Sequence, residues 1–530
     1  MSLRKVSETP SRRKTDRPQR RIAAIDIGTN SIHMIIAESF GDGYRVIDKE
    51  KDMVQLGRDS LEGRPLTPEA IERGVKSLKM MSDIARRWQV DEIVAVATSA
   101  VREAPNRRRF LSAAERGAGI KIRVISGEQE ADYIYRAVRS AIDFHGGTAL
   151  SIDVGGGSVE MIVGTSAEVF FTQSVPLGAL RISQKFHLDR AASSADIKEC
   201  RSFVRKTLKK VAGQIAALGF DFTVGTSGTI LTLAELAAQQ GSAGSTVTSG
   251  LRWLSRSRLQ ELIEALAPLD VAERVSQFGI DAKRAETIVG GAVVLREVMD
   301  GVKTDQIRSC DVALREGIVE TRLDALRHRK GAVRDGSVRR NSTMALADQT
   351  DVDLTHAHHV AALALRIFDQ TTELHMLQTG ERELLEYATL LHEAGMHVSY
   401  QSHHKHSYYL ISHAGLRGFT ADQVAIIANV ARYHRKSPPA VEHSNFAELT
   451  PTQRKVVMKL SAILRIADAL DRGRQGAVRD VAVVVDDESV LFRIRPRADA
   501  AVEYAAASKK GKFFGEAFDR KVRFSLSRRS

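Results

Sequence analysis

The chain has 530 residues, 43% hydrophobic and 27% charged, too long for one ordinary domain and composed like a globular protein of several. No run of about 18 apolar residues occurs, which excludes a transmembrane helix, and Asp26, Asn30 and His33 interrupt the apolar stretch behind the basic N-terminus, against a secretory signal. Cys200 and Cys310 stand far apart and outside any metal-binding spacing, so a reducing compartment without disulfides, the cytoplasm, is expected.

The net charge of +13 sits at the two ends. Residues 1–21 carry eight Lys/Arg against Glu8 and Asp16, and residues 493–530 carry eleven against four acids, so the middle is neutral by count. Basic ends on a neutral body suit a polyanion, whether polyphosphate, nucleic acid or an acidic membrane face.

In chain order, residues 1–20 lack periodicity and read as a disordered basic tail. Strands are expected at Ile22–Ile27 and Ile32–Ala37 around a turn at Gly28-Thr29-Asn30. Helical periodicity follows at 68–88 and 106–118, with strands at Glu92–Ala97 and 120–126. A second strand–turn–strand unit covers Ala149–Val154 and Val159–Val163. Alternating short strands and helices predict α/β architecture to about residue 325. A linker is expected over 326–342, an all-α domain over 343–475, and a small basic C-terminal domain over 476–530 with strand-like alternation at 480–495.

An internal repeat carries most of the functional argument. Residues 25–36 (IDIGTNSIHMII) align with 152–163 (IDVGGGSVEMIV), placing Asp26 opposite Asp153 at an offset of 127 residues. Either turn alone is an ordinary hairpin; two in matched register predict similar halves, 21–140 and 141–325, facing each other across a cleft. Gly/Thr/Ser turns present backbone N–H groups as a nest for phosphate oxygens, and glycine lets the phosphate approach closely. The Asp opening each turn can bind Mg²⁺ or orient a water. Ala97-Thr98-Ser99-Ala100-Val101-Arg102 follows a strand and starts a helix, a setting that attracts anions. Gly225-Thr226-Ser227-Gly228-Thr229 has the same character, and Ile125-Ser126-Gly127-Glu128-Gln129-Glu130-Ala131 sets carboxylates at another helix start.

With DIGTNS (26–31), ATSAVR (97–102), ISGEQEA (125–131), DVGGGSVE (153–160), PLGALR (176–181) and GTSGT (225–229), the first 325 residues resemble the exopolyphosphatase and guanosine-pentaphosphate phosphohydrolase family of the actin-like ATPase superfamily. The resemblance implies duplicated actin-like (ribonuclease H-like) domains around a cleft and Mg²⁺-assisted hydrolysis of a terminal phosphate. It makes Glu130 the general base and Asp153 and Glu160 its catalytic partners. Asp26, Asp153 and Glu160 are the candidate metal ligands. Thr29, Asn30, Ser31, Ser99, Arg102, Gly155, Gly156, Gly157, Ser158, Gly225, Ser227 and Gly228 are the candidate phosphate cage. Gln129 departs from the Glu common in the family. The sequence reading puts inorganic polyphosphate first, cut processively from its end, and guanosine pentaphosphate second in the same site. It expects a homodimer, no specific nucleic acid, and room for peripheral contact with an acidic membrane face. A sugar kinase or an Hsp70-like switch shares the fold, but the basic second half is unexpected for either.

Twelve of the sixteen histidines lie between His356 and His443 and call for an account. His356, the doublet His392-Glu393 and the distant Asp468 resemble an HD domain, a helical metal-dependent phosphohydrolase fold. There Glu393 stands in place of Asp, which argues against an intact metal site. This half is expected to support substrate passage or dimerisation, with His403, His404, Lys405, His406, Arg432, His434, Arg435 and Lys436 lining the path of an anionic polymer.

Overall fold

β1 (Arg21–Ile27) is apolar on both faces because both are covered: Ala23, Ile25 and Ile27 enter one buried cluster, Ile22 and Ala24 another. It pairs antiparallel with β2 (Ile32–Phe40), which pairs antiparallel with β3 (Gly43–Asp52). On its other side run parallel β4 (Glu92–Ala97) and β5 (Ile122–Val124), giving the order β3-β2-β1-β4-β5. The second sheet contains β6 (Ala149–Val154), β7 (Val159–Gly164), β8 (Val169–Val175), β9 (Phe222–Thr226), β10 (Arg252–Ser255) and β11 (Gln306–Ser309). Its order is β10-β11-β9-β6-β7-β8. Five of its strands, taken β8-β7-β6-β9-β11, reproduce the first sheet with the same senses of pairing. The sequence repeat is therefore a repeat of topology. This computed structural model describes residues 20–40, 43–58, 60–239, 251–328 and 338–527. The expected tail falls outside them apart from Arg20, as does the middle of the expected linker.

The lobes exchange elements, so a boundary at 140/141 is not a clean cut. Leu314, Ile318, Val319 and Leu323, on the helix Leu314–His328 after the second sheet, pack with Ile22, Ala24, Ile35 and Val96 of the first. In return Ala131, Tyr135 and Val138 of the helix Gly127–Ala141 pack with Ala149, Ile162 and Val224 of the second.

Residues from 338 onward form helices and a three-stranded sheet: β12 (Val478–Val485), β13 (Ser489–Pro496) and β14 (Lys521–Leu526). β13 and β14 run parallel, joined through the helix Ala501–Phe518. One buried cluster runs from Leu346 to Phe518, with Phe492 edge-on to Phe514. The break expected at 475/476 is thus corrected: helices and sheet share a core. Among the described residues no helix is long and apolar enough to cross a membrane.

Candidate active site

Both repeat turns close with the same bond, Gly28 N–H to Ser31 C=O and Gly155 N–H to Ser158 C=O, each 3.0 Å. They face each other. A Cβ built at Gly156 would lie 3.1 Å from Thr29 Cβ, and one at Gly157 would lie 2.8 Å from both Ser99 Cβ and Thr29 Oγ1. PLGALR holds the second turn from behind. A Cβ at Gly178 would run into the Gly156–Gly157 backbone, and Ala179 and Leu180 N–H donate to the carbonyls of Gly155 and Gly156. Arg181 donates to Gly157 O at 2.8 Å and forms an ion pair with Glu103 of the first lobe at 2.7 Å. Glu103 also accepts from Ser99 Oγ at 2.8 Å, so one buried guanidinium ties the turn to the opposite lobe.

The resulting cleft, about 400 Å³, is lined by Asp26, Thr29, Asn30, Ser31, Ser99, Glu130, Asp153, Gly155, Gly156, Gly157, Ser158, Ser227 and Gly228 among others. Ser227 begins its helix at φ 88°, a left-handed conformation unusual for serine, of the kind often found at functional sites. Three predicted residues take other positions. Gly225 lies within β9, packed between Ile230 and Ile307, so it lacks a side chain for helix–sheet packing and not for phosphate. Glu160 lies behind the cleft, 1% exposed, accepting from Ser174 Oγ at 2.7 Å. Arg102 is not on the lining; it donates to Glu130 Oε2 at 2.9 Å and to Ile125 O at 3.0 Å. Its guanidinium is thus held against a carboxylate of the site. Gln129 closes a capping box with Ser126, a task glutamine performs as well as glutamate, while Glu130, the next residue, is buried at the cleft.

Four carboxyl groups share this buried region. Burial, then the charge of Glu130, raises Asp26 to about 7 against the pull of Arg315. Burial raises Glu130 to about 7 although Arg102 opposes it. Burial raises Asp153 to about 6 despite its hydrogen bond from Thr226. Glu160 is pushed well up by burial and by Glu130 and Asp153. Asp26 Oδ1 is buried without a hydrogen-bond partner. Mutually repelling carboxylates with an orphaned oxygen, all hard donors, fit a divalent cation such as Mg²⁺.

The same cleft also holds a cationic cluster that no motif announced. Arg315, Lys51 and Arg284 line the cleft and together, after burial, depress His33. Burial and then its neighbours Arg284 and Arg315 lower Lys51. Arg315 approaches His33 Nδ1 at 2.6 Å, and His33 Nε2 meets Ser31 Oγ at 2.6 Å. The repeat held one clue: His33 pairs with Asp26 across β1–β2 as Glu160 pairs with Asp153 across β6–β7. Arg284 and Arg315 come from regions with no recognisable signature.

A family model described as the Ppx/GppA phosphatase family matches residues 23–326, and one described as Ppx/GppA phosphatase, domain III, matches residues 338–499. The chain belongs to the Ppx/GppA phosphatase family. Family phosphatases hydrolyse phosphoanhydride bonds, and this chain is an enzyme of that class. Proteins of Aeromonas hydrophila and Vibrio campbellii, both named guanosine-5'-triphosphate,3'-diphosphate pyrophosphatase, are each 29% identical to it. The first aligns over 89% of this chain and 92% of its own length, the second over 85% and 87%. The crystal structure of an exopolyphosphatase from Cytophaga hutchinsonii is 29% identical with a TM-score of 0.55, covering 58% of this chain and 98% of that one. An Aquifex aeolicus Ppx/GppA family member is 26% identical with a TM-score of 0.50, covering 59% and 99%.

In the domain III region the structure corrects one expectation. His403, His404 and His434 do not line an open polymer path: they are buried, and the rings of His403 and His434 stack 5.2 Å apart. Lys405 and Lys436 remain exposed.

Proposed function

We propose that this Ppx/GppA phosphatase removes the terminal phosphate of guanosine-5'-triphosphate,3'-diphosphate, releasing orthophosphate. Two facing N–H-rich turns, a buried carboxylate cluster and a repelling cationic cluster in the same cleft are the observation that carries this reading. A polyphosphorylated ligand relieves both repulsions at once, bridging the cations directly and the carboxylates through a divalent ion. The relatives that align across both parts of the chain bear that nucleotide in their names. That reverses the order of substrates expected from sequence. Polyphosphate hydrolysis in the same cleft is the second reading, favoured by the solved exopolyphosphatase that matches the two lobes.

In the mechanism we infer, N–H groups of 29–31 and 156–158 hold the terminal phosphoryl group, those of Gly28 and Gly155 closing the turns. Glu130, with an affinity for protons suited to neutral pH, takes the proton of a water as its oxygen bonds to phosphorus. Arg102 fixes the carboxylate through Oε2. The bridging P–O bond breaks and the shortened product departs on the side of Arg315, Lys51 and Arg284. Asp26 and Asp153, with Glu160 behind them, would hold Mg²⁺. When bound, the ion supplies Lewis-acid stabilisation of the developing phosphate charge.

The test compares orthophosphate release from the nucleotide and from long-chain polyphosphate at equal terminal-phosphate concentration, with native protein and Glu130→Gln. Nucleotide turnover exceeding polyphosphate turnover, and lost in the variant while binding persists, is expected. Faster polyphosphate turnover would establish the second reading; release indifferent to Glu130→Gln would remove Glu130 as base.

A further inference from the structure

Three side chains of the cleft form one hydrogen-bonded chain that ends at the first phosphate turn. Ser31 Oγ lies 2.6 Å from His33 Nε2, and His33 Nδ1 lies 2.6 Å from Arg315 Nη1. All three residues line the cleft. Arg315 stands in the first turn of the helix Leu314–His328 and is steadied there by Glu316. Glu316 Oε1 lies 3.7 Å from Arg315 Nη2, and Glu316 Oε2 accepts from Ala313 N–H at 2.8 Å.

We propose that His33 is a positioning residue for the phosphatase reaction: held by Arg315 with its proton on Nε2, it donates to Ser31 Oγ and frees the serine hydroxyl hydrogen for a phosphoryl oxygen of the substrate. This rests on the phosphate-binding role given above to the turn 28–31. The direction of the chain follows from its first member. A guanidinium has N–H groups and no lone pair to offer, so Arg315 can only donate and Nδ1 must accept. A neutral imidazole then carries its single proton on Nε2. Burial and the charges of Arg315, Lys51 and Arg284 keep the ring neutral. Ser31 accepts the Nε2–H, and its own hydrogen, barred from His33, turns to the cleft.

The second repeat has the opposite polarity at the equivalent place. Glu160 is hydrogen-bonded to Ser158 and accepts from Ser174 Oγ at 2.7 Å. As a carboxylate it can only accept, so Ser158 gives its hydrogen to Glu160 and offers phosphate its backbone N–H alone. The two turns are thus alike in backbone and unlike in hydroxyl. A hydroxyl donor on a charged phosphoryl oxygen is worth about 10- to 100-fold in kcat/KM.

The test separates the direction of the chain from charge and shape. In His33→Gln the amide can accept from Arg315 with its oxygen and donate to Ser31 with its nitrogen. In His33→Glu, of the same shape, both ends accept and the serine hydrogen is drawn away from the cleft. Ser31→Ala is made in the parent and in each of these backgrounds, and orthophosphate release is measured from the nucleotide and from long-chain polyphosphate. It should cost about 10- to 100-fold in kcat/KM in the parent and in His33→Gln, and less than about twofold in His33→Glu. No cost in the parent, or an equal cost in all three backgrounds, would overturn the proposal, since a purely structural or electrostatic role of His33 leaves the contribution of Ser31 untouched. The chain acts on the terminal phosphoryl group, so the same coupling is expected on whichever substrate is cleaved. Coupling seen with polyphosphate while the nucleotide stays intact would remove the nucleotide reading and leave this one standing. A second measurement is independent of turnover: nitrogen NMR of the full chain labelled at histidine, with the His33 signals assigned by their loss in His33→Gln. A neutral ring with its proton on Nε2 is expected from about pH 6 to about pH 8. A protonated ring, or a proton on Nδ1, would overturn the proposal whatever the variants do to activity.

Discussion

Replacing Asp26 by Asn makes the cleft less able to act and, without metal, more stable. Asp26 is half-buried, its Oδ1 is buried without a partner, and its surroundings raise it from 3.8 to about 7. At about 1.4 kcal/mol per pH unit, ionising it in the metal-free fold costs roughly 4 kcal/mol. A carboxyl raised on folding contributes stability that is complete below its unfolded value and is lost as pH rises through the folded one. For Asp26 that window runs from 3.8 to about 7. Asparagine keeps the shape and has no such loss. In chelator, the advantage of Asp26→Asn over the parent should therefore grow by roughly 2–3 kcal/mol between pH 5 and pH 8, Glu130 and Asp153 sharing the relief. Hydrogen exchange of β1 and β6 is the suitable assay, since it reports the two lobes apart from the remaining residues. With saturating Mg²⁺ the parent should recover its deficit, while phosphate release by the variant falls about 100-fold or more. Stability profiles that run parallel from pH 5 to 8, or a variant less stable than the parent at pH 8 in chelator, would refute the view that this cluster awaits a cation.

Gly157→Ala pushes a methyl against Ser99 and Thr29 and should cut kcat by about 100-fold in the folded fraction, beyond any loss of stability, since the backbone turn loses its alignment. Gly225→Ala should spare catalysis. Its Cβ would meet Ile230 and Ile307 methyl carbons at 2.7 Å, costing about 1–3 kcal/mol in denaturant titrations while the folded fraction keeps its kcat. Arg315→Ala should raise KM for the polyphosphorylated substrate about tenfold or more, with a weaker salt dependence of kcat/KM; unchanged KM would remove the cationic cluster from substrate binding. A base raised to about 7 predicts that kcat/KM falls toward acid pH, starting at or below about 7 because bound Mg²⁺ favours the ionised carboxylate. A rate flat down to pH 5 would exclude Glu130.

The repeat made the fold legible because two turns in one register specify two hairpins, and each hairpin specifies where the parallel strand beside it must end. Asp26, Asp153 and both glycine-rich turns followed directly. Glu130 was legible only through the resemblance carried by ISGEQEA; its local setting, a helix start, would suit any carboxylate, and the structure adds that Ser126 and Gln129 cap that helix while Glu130 is buried. Gly225 misled because a glycine in a hydroxyl-rich loop looks alike whether it admits a phosphate or an isoleucine side chain. The boundary at 475/476 failed for want of any local signal that Leu346 and Phe518 share a core. Buried His403 and His434 likewise look in sequence like members of a basic surface.

What the sequence could not weigh is how the repeat was made asymmetric. At equivalent places across the central hairpins one half carries His33, in contact with Arg315, and the other Glu160, held by Ser174. The first substitution recruits the cations Arg315, Lys51 and Arg284; the second adds a carboxylate to Glu130 and Asp153. Two identical turns would bind phosphate equally from either side and favour no direction of attack. Made unlike in this way, the two halves supply the cleft with carboxylates that can activate water beside a cation and with cations that can receive the charge of the departing phosphate chain. Exchanging these charges, as in the double variant His33→Glu with Glu160→His, should therefore abolish hydrolysis even if phosphate still binds between the turns. Retained turnover would show that the turns alone set the direction of reaction.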